Sequence, residues 1–336
     1  MSCDAQPLRP LPGERGLASG GPERLTPLVL DAWDSFLTLA ETLELDAPSR
    51  CPGWTARELL AHLGSWPQHR LLADALADAQ VAALADARAE ALGDARAEAL
   101  GDRPSWSTRS IDQQERNARI VAQHGREPRD VIMDALRAAR TETATTLAAE
   151  STAELGTTPV PTMLGALPLL GLVAALGYEL AVHAMDLAPC GAAVTLPAPL
   201  ATAGLAALAD VTGALAARNG LAVTFAVSTP SSCWATGTAE GSWTTAAIGG
   251  GALPHPVHWP AIIGSAEVVL DVSAGRAPVP QMLLTRQLRL QNVTGLLELA
   301  TVLDDVPSLP GGAALRAAAR YLGGVGRLLR RLPGVS

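Results

Sequence analysis

Residues 49–63 read SRCPGWTARELLAHL, and residues 177–188 read GYELAVHAMDLA. In the first stretch a turn, SRCPGW, leads into a helix that opens at Thr55. Thr55 and Glu58 have capping-box spacing: the threonine hydroxyl takes the amide of the third helical residue, and the glutamate reaches back to the Thr55 amide. His62 follows seven residues into that helix. In the second stretch Glu179 and His183 stand four residues apart. On a helix this leaves the two side chains about 40° apart on one face, within reach of one ion. The same pair also satisfies a buried Glu–His hydrogen bond, and spacing alone leaves both readings open.

Working outward, helical spacing dominates up to about residue 219. A first helix is expected over Glu23–Leu45, with Leu28, Leu30, Trp33, Phe36, Leu37 and Leu39 as its apolar face. Others are expected over Arg129–Glu150, from near Pro168 to before Pro189, and over Pro199–Arg218, where Asn219-Gly220 is a stop signal. Leu155–Tyr178 carries no charge, but Pro159, Pro161 and Pro168 interrupt it. A membrane span wants about 20 uninterrupted apolar residues, so this segment reads as a helix buried inside a bundle.

After residue 220 the period changes. LAVTFAVS alternates as a strand does, and CWATGT and WTTAAIG flank a hairpin turn at Glu240-Gly241. AEVVLDVSAGR reads as helix or strand, QLRLQN as a strand and TGLLELATVL as a helix. The expected fold class is therefore α + (α+β). A flexible N-terminus (1–22) precedes a helical bundle (23–219), a small α+β domain (220–306) and a basic helical tail (307–336).

Composition narrows the function. Of 336 residues, 48% are hydrophobic and 17% charged, which excludes a disordered polyampholyte. Aromatics make up 3%, so Ala, Leu and Val must build the core. All 25 basic residues are Arg. Without Lys, a Walker-A phosphate loop, a pyridoxal enzyme and a Schiff-base aldolase are all out. A net charge of −8 disfavours a general nucleic-acid binder. Five Arg and no acid fall in 311–336, a tail that reads as a solvated helix or, less readily, as a membrane-docking one. MSCDAQPLRPLPGERG has no apolar core of a signal peptide, and Cys3, Cys51, Cys190 and Cys233 form no CxxC pair. These features fit reduced thiols and a cytoplasmic location.

Other candidates are bland. Glu58 repeats the four-residue spacing with His62, but the capping box already explains it. His69 lies beyond Pro67, and His255 and His258 occupy a Pro-rich loop. Asp186, three residues after His183, either orients that imidazole or is a helix-end acid. Cys51 reads as packed, with no basic neighbour in sequence to activate it. The perfect tandem DARAEALG at 86–93 and 94–101 reads as a solvated Ala-rich duplication without chemistry. GGVG at 323–326 follows a helix and is no dinucleotide loop.

The SRCPGWTARELLAHL block, with GYELAVHAMDLA well downstream, resembles the mycothiol-dependent maleylpyruvate isomerase family, a group of DinB-like metal-binding four-helix bundles of actinobacteria. The resemblance covers about residues 24–190. It implies a zinc or other divalent ion held by His62, Glu179 and His183, with mycothiol as cofactor. Residues 220–306 are more loosely similar to that family's domain related to sterol carrier proteins, and SAGRAP supplies a Gly-Arg pair. Arg276 is thus a candidate clamp for a substrate carboxylate, or an ordinary turn arginine. The implied activity is thiolate addition to a small electrophilic acid, ending in cis–trans isomerisation or S-transfer. A non-catalytic metal-binding or regulatory protein is the other reading.

Overall fold

The computed structural model describes residues 7–67, 70–92, 115, 117–162, 164–192, 195–249, 259–299 and 302. The chain divides into two compact units, Leu17–Ala207, and Met1–Gly16 joined with Leu208–Ser336. The division falls inside a helix, Ala198–Arg218, and not at the Asn219-Gly220 stop that ends it.

The first unit is helical. Its elements are α1 (Gly21–Ala40), α2 (Ala56–Gly64), α3 (Leu71–Leu92), α4 (Arg129–Ala148), α5 (Glu150–Leu155) and α6 (Leu169–Asp186), and α7 (Ala198–Arg218) begins in it. α1 packs on α4 and α6, and α2 packs on α4. The buried stripe of α1 is Leu25, Val29, Ala32, Trp33, Phe36 and Ala40. Leu28, Leu30, Leu37 and Leu39 flank it half-buried. The stripe is thus rotated from the expected face, because small alanines line the side where neighbouring helices approach.

α1 stops at Ala40, short of the expected Leu45. The Arg129 guanidinium donates to the carbonyls of Ala40, Glu41 and Leu43, capping acceptors that a helix end leaves unsatisfied. Leu43 and Leu45 then turn into the core. α4 opens at Arg129 as expected and ends at Ala148, where the extended Ala149 starts a separate short helix.

The uncharged segment before α6 departs further from expectation. It holds a two-stranded antiparallel hairpin, β1 (Pro159–Thr162) and β2 (Gly165–Pro168), and helix begins only at Leu169. Proline lacks the amide that a helix interior needs, whereas an edge strand tolerates that loss. Pro168 is the N-cap of α6, not its first-turn residue. α6 and α7 are long and apolar enough to cross a membrane, but 78% and 72% of their apolar windows are buried within the protein.

The second unit is α+β. β3 (Thr224–Ser228), β4 (Cys233–Ala239), β5 (Ser242–Ile248), β6 (Ala261–Gly264) and β7 (Leu288–Gln291) form a sheet in the order β5-β4-β3-β6-β7. β3 and β6 are parallel, and the other pairs are antiparallel. The β4–β5 hairpin turns at Glu240 (φ 49°) and Gly241 (φ 74°), the left-handed pair that a tight two-residue hairpin requires. AEVVLDVS resolves as a helix, α8 (Ala266–Ser273), capped by the Ser265 hydroxyl at 3.3 Å from the Val268 amide. α9 (Val279–Leu284) precedes β7, and α10 (Val293–Leu299) follows it.

Residues 7–16 belong to this unit, which corrects the reading of 1–22 as a loose leader. Arg15 bridges to Trp243 in parallel register, with its guanidinium 5.6 Å from the indole centroid. The Trp243 amide donates to the Glu14 carbonyl at 3.1 Å. The second DARAEALG copy and the basic tail lie outside the described residues, while the first copy runs into the end of α3.

Candidate metal centre

α2 is short, and its start is fixed by local chemistry. Glu58 Oε2 accepts from the Thr55 amide at 2.7 Å and from its hydroxyl at 2.9 Å, and the Glu58 amide donates to Thr55 Oγ1. The capping box is complete. It occupies Glu58 and sets the phase of the helix so that His62 points inward, 8% exposed.

α6 supplies the other side. Fourteen of its eighteen residues are buried, so each buried polar side chain on it requires a partner. It can run close to α7 because Gly177 lies opposite Ala203, where a Cβ would approach the Ala203 Cβ to 2.8 Å.

His62, Glu179 and His183 meet. One ligand atom from each lies within 4.8 Å of the others. The two imidazoles stand edge to face with centroids 5.7 Å apart, and Trp54 packs on His62 at 5.5 Å. His183 Nε2 lies 3.4 Å from Glu179 Oε2, and the Glu179 side chain is 46% exposed. On the far side of the ring, His183 Nδ1 lies 3.1 Å from Asp186 Oδ2. A carboxylate accepts, so Nδ1 donates there and Nε2 faces Glu179. Asp186, the last residue of α6, thus faces the His183 ring from a fully buried position.

Burial alone would push His183 toward its neutral form. Hydrogen bonds to Asp186, Cys51 and Glu179 outweigh that and hold its pKa well above the ordinary 6.5. The pocket therefore favours positive charge beside Nε2, which a proton or a metal ion can supply. Two imidazoles and a carboxylate are also the donor set of zinc sites that keep a position open. The residues fit a divalent ion.

Not every candidate joins the cluster. Glu58 belongs to neither of the two ligand groups that converge among the described residues. Arg276 lies in the other unit, where it follows the left-handed Gly275 and donates from Nη1 to the Ala274 carbonyl at 3.3 Å. His69, His255 and His258 fall outside the described residues. Burial pushes the thiols of Cys190 and Cys233 up, away from nucleophilic use.

Sequence reasoning missed the surroundings of Cys51. Its thiol lies 3.2 Å from Asp186 Oδ2, and Cys51, His183 and Asp186 form the second convergent group. This contact spans 135 positions of sequence, and in it the acidic Asp186 takes the thiol as a donor. Trp54, the wall against His62, was equally silent. The one available signal was the packed SRCPGW turn just before the helix that carries His62.

The chain thus couples a helical unit, in which two buried histidines converge with a half-exposed glutamate, to an α+β unit. Residues 28–188, just under half of the chain, match the family model described as the mycothiol maleylpyruvate isomerase N-terminal domain, and this segment is a domain of that family. A solved structure of a histidine-to-alanine mutant of the mycothiol-dependent maleylpyruvate isomerase is similar, at 18% identity and a TM-score of 0.42. That match covers 80% of this chain and 91% of the other. A second structure of the mycothiol-dependent maleylpyruvate isomerase matches at 19% identity and a TM-score of 0.41, covering 76% and 89%. No curated protein matches the chain.

Proposed function

We propose that this protein is a cytoplasmic, metal-dependent enzyme that uses mycothiol, a small-molecule thiol, to act on a small electrophilic acid. The observation that carries the reading is the convergence of His62, Glu179 and His183 inside the segment that matches the family. In the same reading the helical unit is a DinB-like bundle, and the α+β unit is a relative of sterol carrier proteins.

His62, Glu179 and His183 would hold the ion, zinc foremost, and Asp186 keeps His183 in the tautomer that presents Nε2. A divalent ion with an open position supplies Lewis acidity that favours the thiolate form of a bound thiol at neutral pH. Burial makes Cys190 and Cys233 poor nucleophiles, and no Lys is present, so this reading takes its nucleophile from an added small-molecule thiol. The reaction is addition of the thiol to an unsaturated carbon of the acid. Rotation about the former double bond and elimination then return the thiol with a cis bond made trans, or the conjugate leaves as an S-transfer product. Trp54 shields one side of His62 from water. Arg276 is assigned the substrate carboxylate, which a guanidinium can hold with two parallel hydrogen bonds.

The test is turnover of a cis-unsaturated acid that requires both metal and added thiol. Activity should survive replacement of Cys3, Cys51, Cys190 and Cys233 together by Ser in a folded variant. Turnover without thiol consumption identifies an isomerase, and stoichiometric consumption identifies a transferase. Full turnover in chelator-treated, thiol-free protein overturns the reading. Metal binding with neither activity leaves the non-catalytic binding protein.

A further inference from the structure

Cys51 sits beside the cluster, yet the proposed chemistry gives it no part. Its place is set by the turn that carries it. Ser49 Oγ accepts from the Cys51 amide at 3.1 Å and donates to the Trp54 carbonyl at 2.8 Å. The Trp54 amide returns to the Cys51 carbonyl at 3.0 Å, and Pro48 pairs with Thr55 across the turn. This pinned loop also grips the end of α6, where the Arg50 amide donates to the Asp186 carbonyl at 2.8 Å.

From that loop the Cys51 thiol reaches Asp186 Oδ2 at 3.2 Å, the same oxygen that faces His183 Nδ1 at 3.1 Å. Asp186 is fully buried, so its carboxylate depends on protein donors for its orientation. A thiol is a weak donor. Such a donor can bias the rotamer of the carboxylate while leaving the oxygen electron-rich toward the imidazole. Groups that hold a ligating imidazole from behind tune both its direction and its basicity.

We propose that Cys51 is a positioning residue whose thiol, set against both Asp186 and the His183 ring, aims His183 Nε2 at the space shared with His62 and Glu179. The inference rests on the metal-site reading for its function, but the hydrogen-bond relay itself can be measured without metal. It also gives this cysteine a use that needs no thiolate and no covalent step.

The experiment compares Cys51→Ala, Cys51→Val and Cys51→Ser in the full chain, with two readouts. Zinc affinity is measured by competition with a chromogenic chelator, and solvent exchange of the His183 Nδ1–H by NMR on the metal-free protein. Ala and Val remove the donor, and Val largely fills the space, so a cavity effect in Ala is separated from loss of the bond. Both should weaken zinc binding, by less than the about 10–100-fold that loss of a ligand's direct partner costs. Both should also speed Nδ1–H exchange at least several-fold, while Ser, which keeps a donor, stays closer to wild type on both measures. Wild-type affinity and exchange in Ala and Val would overturn the proposal. Losses in Ser equal to those in Ala would overturn it too, since the hydrogen bond would then be irrelevant. If the wild-type protein takes up no zinc, the metal reading fails while the exchange measurement still decides the relay.

Discussion

Asp186 in the helical unit and Asp210 in the α+β unit are both almost fully buried, at 0% and 2% exposure. Their partners differ in kind. Asp210 Oδ1 accepts from the Trp243 indole at 3.0 Å, and Gly16 leaves the space that this contact occupies. An indole N–H never titrates in the working range, so this contact is a structural one. Asp186 instead faces an imidazole and a thiol, groups that gain and lose protons and bind metals. Burial alone does not separate a structural carboxylate from a functional one. The chemistry of the donor does.

The comparison breaks most visibly on paired substitutions. Asp186→Asn should weaken metal binding by about 10–100-fold, since outer groups of metal sites carry that much. Asp210→Asn should leave metal content at the wild-type level. Equal effects of the two, measured by chelator competition, would erase the distinction.

Next in size is Trp243→Phe, which removes the indole donor and keeps most of the ring. The expected cost is about 1–3 kcal/mol in denaturant unfolding of the protein, with metal content unchanged. A loss of metal in this variant would show that the contact is not purely structural.

Arg276→Ala should raise the KM for an acidic substrate by about tenfold, the scale of a charged hydrogen bond, and leave metal content alone. Unchanged kinetics would return Arg276 to the turn after α8.

The smallest effect is a pH dependence that sharpens the contrast. In the metal-free protein the His183 pKa is raised, so its interactions favour the protonated form. Their contribution to stability is fully present below the unfolded value of about 6.5 and is lost as pH rises through the raised folded value. The stability lead of wild type over His183→Gln should therefore shrink with rising pH. A lead that grows with pH would reverse the sign. Metal must displace that proton, so metal affinity should fall toward acid.

What the sequence made legible was local. The Thr55–Glu58 capping box and the Glu240-Gly241 turn each lie within four residues, and both form as expected. The Glu179–His183 spacing likewise needs only helical geometry. The hairpin at 159–168 was hidden because an uncharged, proline-broken stretch suits a buried helix and a paired strand alike. The Ala207 division depends on which neighbours each half of α7 finds, and residues 7–16 join their unit through Gly241, Ser242 and Trp243, over two hundred positions away. The Cys51–Asp186 contact has the same character: two ordinary residues become a relay only when the loop before α2 meets the end of α6.

The most direct test of the central claim is the metal content of the purified protein, wild type against His183→Ala. One divalent ion per chain in wild type and none in His183→Ala is the predicted result. Full occupancy in a folded His183→Ala protein would contradict it and move the search for ligands to Glu58.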